Sequence, residues 1–379
     1  MPRLPSTLLL LLAAAAAAAP QFPAPSGAAP EPAPVEEVRP WIERGDRPAW
    51  APKGDRIAFD RPDELGISRL WIAEPDGSAA RCLTCRPLDF EKLHAGNATW
   101  HPSGEYLVFQ VERPARRDDR PLPFRAVPGG NRGQEDLWAI TTDGRTYWNI
   151  THRGDEGYRF AVPHFSREGD RLLWGERVAS GGGAWGRWTL RVAEFALTRG
   201  VPRLRKAQEH EPGPQRLYKE PGGFTADDRG LLFAANLEVG QPETGLDVYE
   251  MRMEDGTVRR LTHTLDELDR HPRFSPNGRW IAWVSNRGVP PARDEERWLR
   301  RGMPALLATD LWLMAADGSG VARLTHFSDV FSPDYAGRMM VGPPAWSPEG
   351  DRLLVPVAPQ DAPHQAEIYL VRLTTPLGR

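Results

Sequence analysis

The sequence predicts an all-β chain closed into a six-bladed propeller of four-stranded antiparallel blades, and three observations predict it. One pattern, an aromatic residue, a short polar or Pro-containing pair, a Gly or Asp turn and a brief apolar strand, recurs six times at intervals of 50 to 72 residues. Each copy is followed by a second strand-like run, four of which end in an Asp-Gly turn, the strongest short hairpin signal. The two ends of the chain are incomplete in complementary ways, as a closed ring requires.

The six copies read "PAWAPKGDRIAF" at Trp50, "ATWHPSGEYLVF" at Trp100, "PHFSREGDRLLW" at Phe165, "GGFTADDRGLLF" at Phe224, "PRFSPNGRWIAW" at Phe274 and "PAWSPEGDRLLV" at Trp346. The following runs are "RLWIAEPDG", "DLWAITTDG", "DVYEMRMEDG" and "DLWLMAADG", with "WTLRVAEF" and "EIYLVRL" as versions lacking the turn. A closing element, "ARCLTC", "YWNITH", "VRRLTH" or "VARLTH", completes most copies. Two hairpins per unit, repeated six times, describe propeller blades. The recurring aromatics fill the wedge between neighbouring blades, with Trp71, Trp138, Tyr249, Trp312 and Tyr369 at a second depth. The sixth copy runs out after "EIYLVRL", so Val35 to Ile42 is expected to supply its outer strand and remove two exposed edges.

Upstream of the repeats, Arg3 precedes an apolar run from Leu8 to Ala19, the layout of a secretory signal peptide over residues 1–19 and too short to span a bilayer comfortably. Residues 20–34 are rich in Pro and Ala and read as a disordered linker, leaving 35–379 for the propeller. The chain is therefore expected in the periplasm or secreted, without stable membrane insertion. Oxidising conditions there favour a disulfide between Cys82 and Cys85 in "RCLTC". A redox motif would sit at a helix start, and two thiolates do not make a zinc site. The net charge of −3 argues against a nucleic-acid partner, which requires a basic face.

The units "W-S-P-x-G-x-x-[IL]-[AL]-[FW]" and "D-L-W-x-M-x-x-D-G" followed by "R-L-T" resemble the TolB-type propeller repeat across essentially the whole mature chain. The third and fourth copies, "PHFSREGD" and "GGFTADDRG", lack the Ser-Pro pair and depart most. The resemblance implies the fold and, loosely, an envelope-associated binding role. TolB itself carries an α/β domain for which there is no room before Trp41, so its specific partners do not carry over. Related propellers cap prolyl-oligopeptidase-type peptidases, but no G-x-S-x-G nucleophile elbow occurs here, and peptidase activity is not expected.

Function is expected on the face bearing the longer loops: 111–135, 285–309, whose "ARDEERWLRRGM" suggests a short helix, and "FSDVFSPDYAGRMMVGP". The starts of the inner strands place Asp46, Arg47, Asn97, Tyr158, Arg159, Glu220, Asp269, Arg270 and His271, with Arg338 nearby, at the channel mouth as a candidate ligand site. The competing reading is a channel of mutually paired charges. His152, His263 and His326 occupy equivalent positions around the rim, whereas His94, His164 and His271 could converge with Asp46 or Asp269 on a metal. Two functions follow: a non-enzymatic monomeric scaffold for a protein or peptide partner, needing no cofactor, or a metal-dependent lyase or lactonase with its site in the channel. Three or four convergent His, Asp or Glu side chains would mark the second.

Overall fold

A computed structural model describes residues 35–86, 90, 92–112, 135–152, 159–179, 186–213, 218–242, 244–291 and 307–378. The expected signal peptide and linker, the interior of the 111–135 insertion and the helix expected at 292–303 lie outside them. Among the described residues there is no α-helix, and none therefore long enough to cross a membrane.

Strand β1 (Val35–Ile42) precedes the first blade, which is β2 (Asp46–Trp50), β3 (Ile57–Pro62), β4 (Ser68–Ala73) and β5 (Arg81–Cys82). The second is β6 (Ala95–Trp100), β7 (Tyr106–Glu112), β8 (Glu135–Thr141) and β9 (Tyr147–Asn149). The third is β10 (Arg159–Phe165), β11 (Arg171–Ala179), β12 (Arg187–Thr198) and β13 (Val201–His210). The fourth is β14 (Lys219–Phe224), β15 (Gly230–Ala235), β16 (Asp247–Arg252) and β17 (Val258–Arg260). The fifth is β18 (Arg270–Phe274), β19 (Trp280–Ser285), β20 (Asp310–Ala315) and β21 (Ala322–Arg323). In the sixth the inner strand is split into β22 (Met339–Val341) and β23 (Ala345–Trp346), followed by β24 (Arg352–Pro359) and β25 (Glu367–Leu373). Each of blades one to five is an antiparallel sheet in simple sequence order. The sixth is completed by β1, which pairs antiparallel with β25 from Val35 opposite Leu373 to Ile42 opposite Ile368.

Second strands such as "GLLFAA" and "WIAWVS" are buried on both faces, which is why they read as continuous apolar runs instead of alternating ones. Six apolar clusters lie between consecutive blades, from Leu70, Leu107 and Phe109 between the first and second to Ile42, Phe59, Leu354 and Leu370 between the sixth and first. The repeat aromatics tie blades polar-wise as well. Trp100 Nε1 donates to Ala49 O at 3.1 Å and Trp346 Nε1 to Arg273 O at 3.3 Å, each reaching the inner strand of the preceding blade.

The consensus "D-L-W … R-L-T" also has a physical cause. Asp310 is fully buried in β20, where it accepts from Arg323 Nη2 (2.6 Å), Thr325 Oγ1 (2.7 Å) and Phe327 N (3.0 Å). Asp247 does the same with Arg260 and Thr262, and Asp136 with Asn149 and Thr151. An Asp on the third strand thus clamps the outer strand, whose few ladder bonds would not hold it alone. In the third blade, which lacks this motif, β12 and β13 instead form a long hairpin. Its turn residues Arg199 and Gly200 both have positive φ (54° and 77°), the type I′ geometry. Arg203, Arg205 and Lys206 expose charge along that edge, protecting it from pairing with other chains.

Candidate ligand site in the central channel

The channel wall is set by a defect that every inner strand shares. Between β2 and β3 the register slips from Asp46 opposite Asp60 to Ala49 opposite Ala58, and equivalent slips occur in β6, β10, β14 and β18. The bulged residue adopts left-handed backbone at Arg47 (φ 47°), Asn97 (φ 53°), Val162 (φ 47°) and His271 (φ 52°). For Val162, β-branched, this is a strained conformation. Carboxylates hold three of the exposed amides: Arg47 N donates to Asp46 Oδ1 at 2.8 Å, Asn97 N to Asp60 Oδ1 at 2.9 Å, and His271 N to Glu220 Oε1 at 2.9 Å. The latter two bonds cross from one blade to the next.

Most of the ten residues expected at the mouth serve this scaffold. Arg47 packs its guanidinium against Asp60 (3.4 Å) and Asp46 (3.8 Å), all three buried. Glu220, fully buried, accepts from Arg270 Nε (3.1 Å) and Nη2 (2.8 Å) and from the Tyr218 hydroxyl (3.0 Å), while His271 Nδ1 lies against its other oxygen. Burial alone would raise the Glu220 carboxyl, but Arg270 and His271 hold it well below the usual carboxylate range. Burial pushes His271 down to about 4, so its imidazole is neutral at pH 7. Asp269, raised to about 6 by burial, meets Trp283 Nε1 (3.1 Å) and Arg287 Nη2 (3.4 Å). Arg338 bonds Gln360 Oε1 (2.7 Å) and the Pro290 carbonyl (2.5 Å). The backbone of Arg159 pairs with Arg177 in β11, and Tyr158 and the Arg159 side chain lie outside the described residues. Of the ten, Arg47 and Asn97 line the channel cavity described next.

Two concavities, of about 440 and 310 Å³, share Ala49, Trp50, Thr99, His164, Arg273, Phe274 and Pro276 and so run into one another along the channel. The larger is walled by Pro52, Pro102, Ser166, Thr225 and Ser275, the residues that follow the repeat aromatics. It therefore opens at the ends of the inner strands, on the face of the tight hairpin turns. The sequence had pointed to the opposite, loop-bearing face.

Immediately before each repeat aromatic stands the residue that faces this space: Ala49, Thr99, His164, Gly223, Arg273 and Ala345. Four are small, and the two that are not come from the blades on either side of Gly223. Sequence reasoning had named His164 only as a possible metal ligand and had not singled out Arg273. The signal was present in "PAW", "ATW", "PHF", "GGF", "PRF" and "PAW", where the middle residue alone varies in chemistry. Burial holds the His164 imidazole well below its ordinary value, with the Arg273 charge acting in the same direction.

The three histidines that could have shared a metal have separate surroundings. His94 accepts from Ser68 N at 3.1 Å and lies 3.8 Å from Glu112, His164 faces the channel, and His271 is sealed against Glu220. Among the described residues no three His, Cys, Asp or Glu side chains come together in a group that could hold a metal ion. Cys82 and Cys85 are joined as a disulfide, with Cα atoms 5.7 Å apart, at the outer strand of the first blade.

No family model matches the chain. It is 39% identical over 61 residues, 16% of its length, to the uncharacterized protein YidR of Escherichia coli, and 24% identical over 246 residues, 63% of its length, to dipeptidyl-peptidase 5 of Porphyromonas endodontalis. These matches cover 14% and 29% of the two relatives, so the chain spans less than a third of either. Among solved structures, TolB from Acinetobacter baumannii is similar with a TM-score of 0.49 and 17% identity, covering 86% of this chain and 65% of that one. A structure described as putative TolB from Agrobacterium tumefaciens gives 0.49 and 16%, covering 88% of this chain and 91% of its own.

Proposed function

Taking the chain as a six-bladed propeller of TolB-like repeats, we propose that it is an exported binding protein that takes a peptide segment of an envelope partner into its central channel. The observation that carries this reading is the continuous channel cavity. Its walls combine the rings of Trp50, Trp100, Phe165, Phe274, Pro343 and Pro344 with polar side chains such as Asn97, Thr99, His164, Thr225 and Arg273, apolar surface for contact and polar groups to fix orientation. That composition suits a narrow, extended chain entering from the hairpin-turn face. The groups with the strongest electrostatic coupling, Glu220, Arg270 and His271, are sealed between blades, where they hold the bulges instead of meeting a substrate. Asp228, which lines the cavity, accepts from Arg167 N (3.0 Å) and pairs with Arg171 (3.8 Å), a structural engagement and not that of a general base. Export fits the Arg3-led apolar run and the disulfide, which persists in oxidising compartments.

Panning a library of displayed random peptides on the folded protein tests the proposal. Ala49→Trp places a large ring in the space that both parts of the cavity share. Enriched peptides that no longer bind this variant, at an unchanged unfolding temperature, bear the reading out. Failure to enrich any peptide, or equal binding to the blocked channel, overturns it.

A further inference from the structure

Of the six side-chain positions that ring the channel, those of the third and fifth blades carry His164 and Arg273, and the blade between them presents Gly223. We propose that this gap is a carboxylate-binding site, with the Arg273 guanidinium as the anchor and the His164 ring as its neighbour.

The guanidinium is held from behind. Arg273 Nη1 donates to the carbonyls of Pro272 (2.8 Å) and Pro221 (3.3 Å), and the Pro221 carbonyl also faces His164. Those bonds fix the plane of the group and leave Nε and Nη2 without a hydrogen bond among the described residues, yet neither atom is sealed from the cavity. Nε and Nη2 form one edge of the guanidinium, with two parallel N–H vectors matched to the two oxygens of a carboxylate. The backbone makes room for the incoming group. At Gly223 (φ 117°) a Cβ would meet open space, so the absence of a side chain there leaves the gap clear, while Gly222 is packed directly against Pro272 O of the next blade.

The charge is uncompensated as well. Among the described residues Arg273 forms no ion pair. The acidic group whose field reaches it, Glu220, is already engaged by Arg270 and His271. Burial lowers Arg273 only to about 10, so it stays cationic at pH 7. His164 lines the same cavity, and burial holds its ring well below the ordinary value, so this neighbour adds no second charge beside the guanidinium. Arg273 is the cation that faces the gap, with Arg47 held by Asp60 and Arg167 exposed at the hairpin-turn rim, and its single charge matches that of a carboxylate, whereas a phosphate dianion would carry a second.

This inference rests on the channel being the binding site, and its test keeps the two apart. Titration calorimetry would compare N-acetyl-glycyl-phenylalanine, its C-terminal amide and sodium acetate on the full chain. The free carboxylate should bind roughly ten- to a hundredfold more tightly than the amide. Arg273→Lys, which keeps the charge but not the fork, should erase most of that preference, and Arg273→Met all of it. Equal affinity for acid and amide in the unmodified protein, or no binding of any carboxylate probe, overturns the site without reliance on a variant's folding. Panned peptides that are lost on blocking with Ala49→Trp, together with no acid preference, leave the peptide channel standing and the carboxylate site refuted. Arg273-dependent binding of acetate with no peptide enriched supports the site for a free small carboxylate and refutes the peptide channel.

Discussion

Single residues in this propeller act mainly as clamps, and their effects differ in kind. Asp310 accepts three hydrogen bonds in a fully buried position, so Asp310→Ala removes the acceptor of Thr325 Oγ1 and Phe327 N and the counter-charge of Arg323, which keeps only the Thr325 carbonyl. Removing one partner of such a pair costs about 3–5 kcal/mol. Denaturant unfolding should show a loss of that size, and a smaller one for Asp310→Asn, which keeps an acceptor oxygen for Thr325. His271 responds to pH instead. Its folded-state value of about 4 lies below the ordinary 6.5, so the contribution of the neutral ring is fully present above pH 6.5 and is lost as pH falls towards 4. In that window the unfolded chain carries one more proton at this site, a slope of about 1.4 kcal/mol per pH unit. His271→Asn preserves the positive φ, which Asn tolerates, and removes the titration. The stability difference between parent and variant should therefore shift steadily in the variant's favour from pH 6.5 to 4. A difference independent of pH in urea titrations would show that His271 is not neutral in the fold.

At the scale of the element, the inner strand explains why much of the candidate site escaped sequence reading. Its start carries conspicuous charges, Asp46, Arg47, Glu220, Asp269, Arg270 and His271, and charge at a channel invites a ligand interpretation. The bulge changes which side chains face the axis: the extra residue turns the charged group back between blades, where carboxylates cap the amides of Arg47, Asn97 and His271. The residue two positions further on is left to face the channel. Nothing in the alternation of apolar and polar residues announces a bulge, because the slip depends on cross-strand register and on acceptors from a neighbouring blade. Pro48, Pro163 and Pro272, each following a bulged residue, were its nearest sequence trace.

At the scale of the whole molecule, closure is the decisive event. β1 lies far from β25 in sequence yet pairs with it along its length, and Ile42 is buried among Phe59, Leu354, Ile368 and Leu370 at the junction of the last and first blades. Deleting residues 1–42 exposes the β25 edge and empties that site, and the Ile42 side chain alone is worth about 2–4 kcal/mol. Calorimetry should record a fall in unfolding temperature of roughly 5 °C or more, with a concentration-dependent tendency to associate through the open edge. An unchanged transition would mean that the ring does not depend on this seam.

The sequence by itself determined the number of blades, the order of strands within each and the strand that completes the sixth. These follow from local chemistry repeated in register: an aromatic wedge, a turn, an apolar strand, and an Asp matched by Arg and Thr on its neighbour. Only the tertiary structure decided which polar residues meet solvent in the channel. Glu220 and Arg270, or Gly223 between His164 and Arg273, acquire their roles from contacts that join blades some 50 residues apart. A periodic pattern records how each unit folds, but facing positions on different units become neighbours only when the ring has formed.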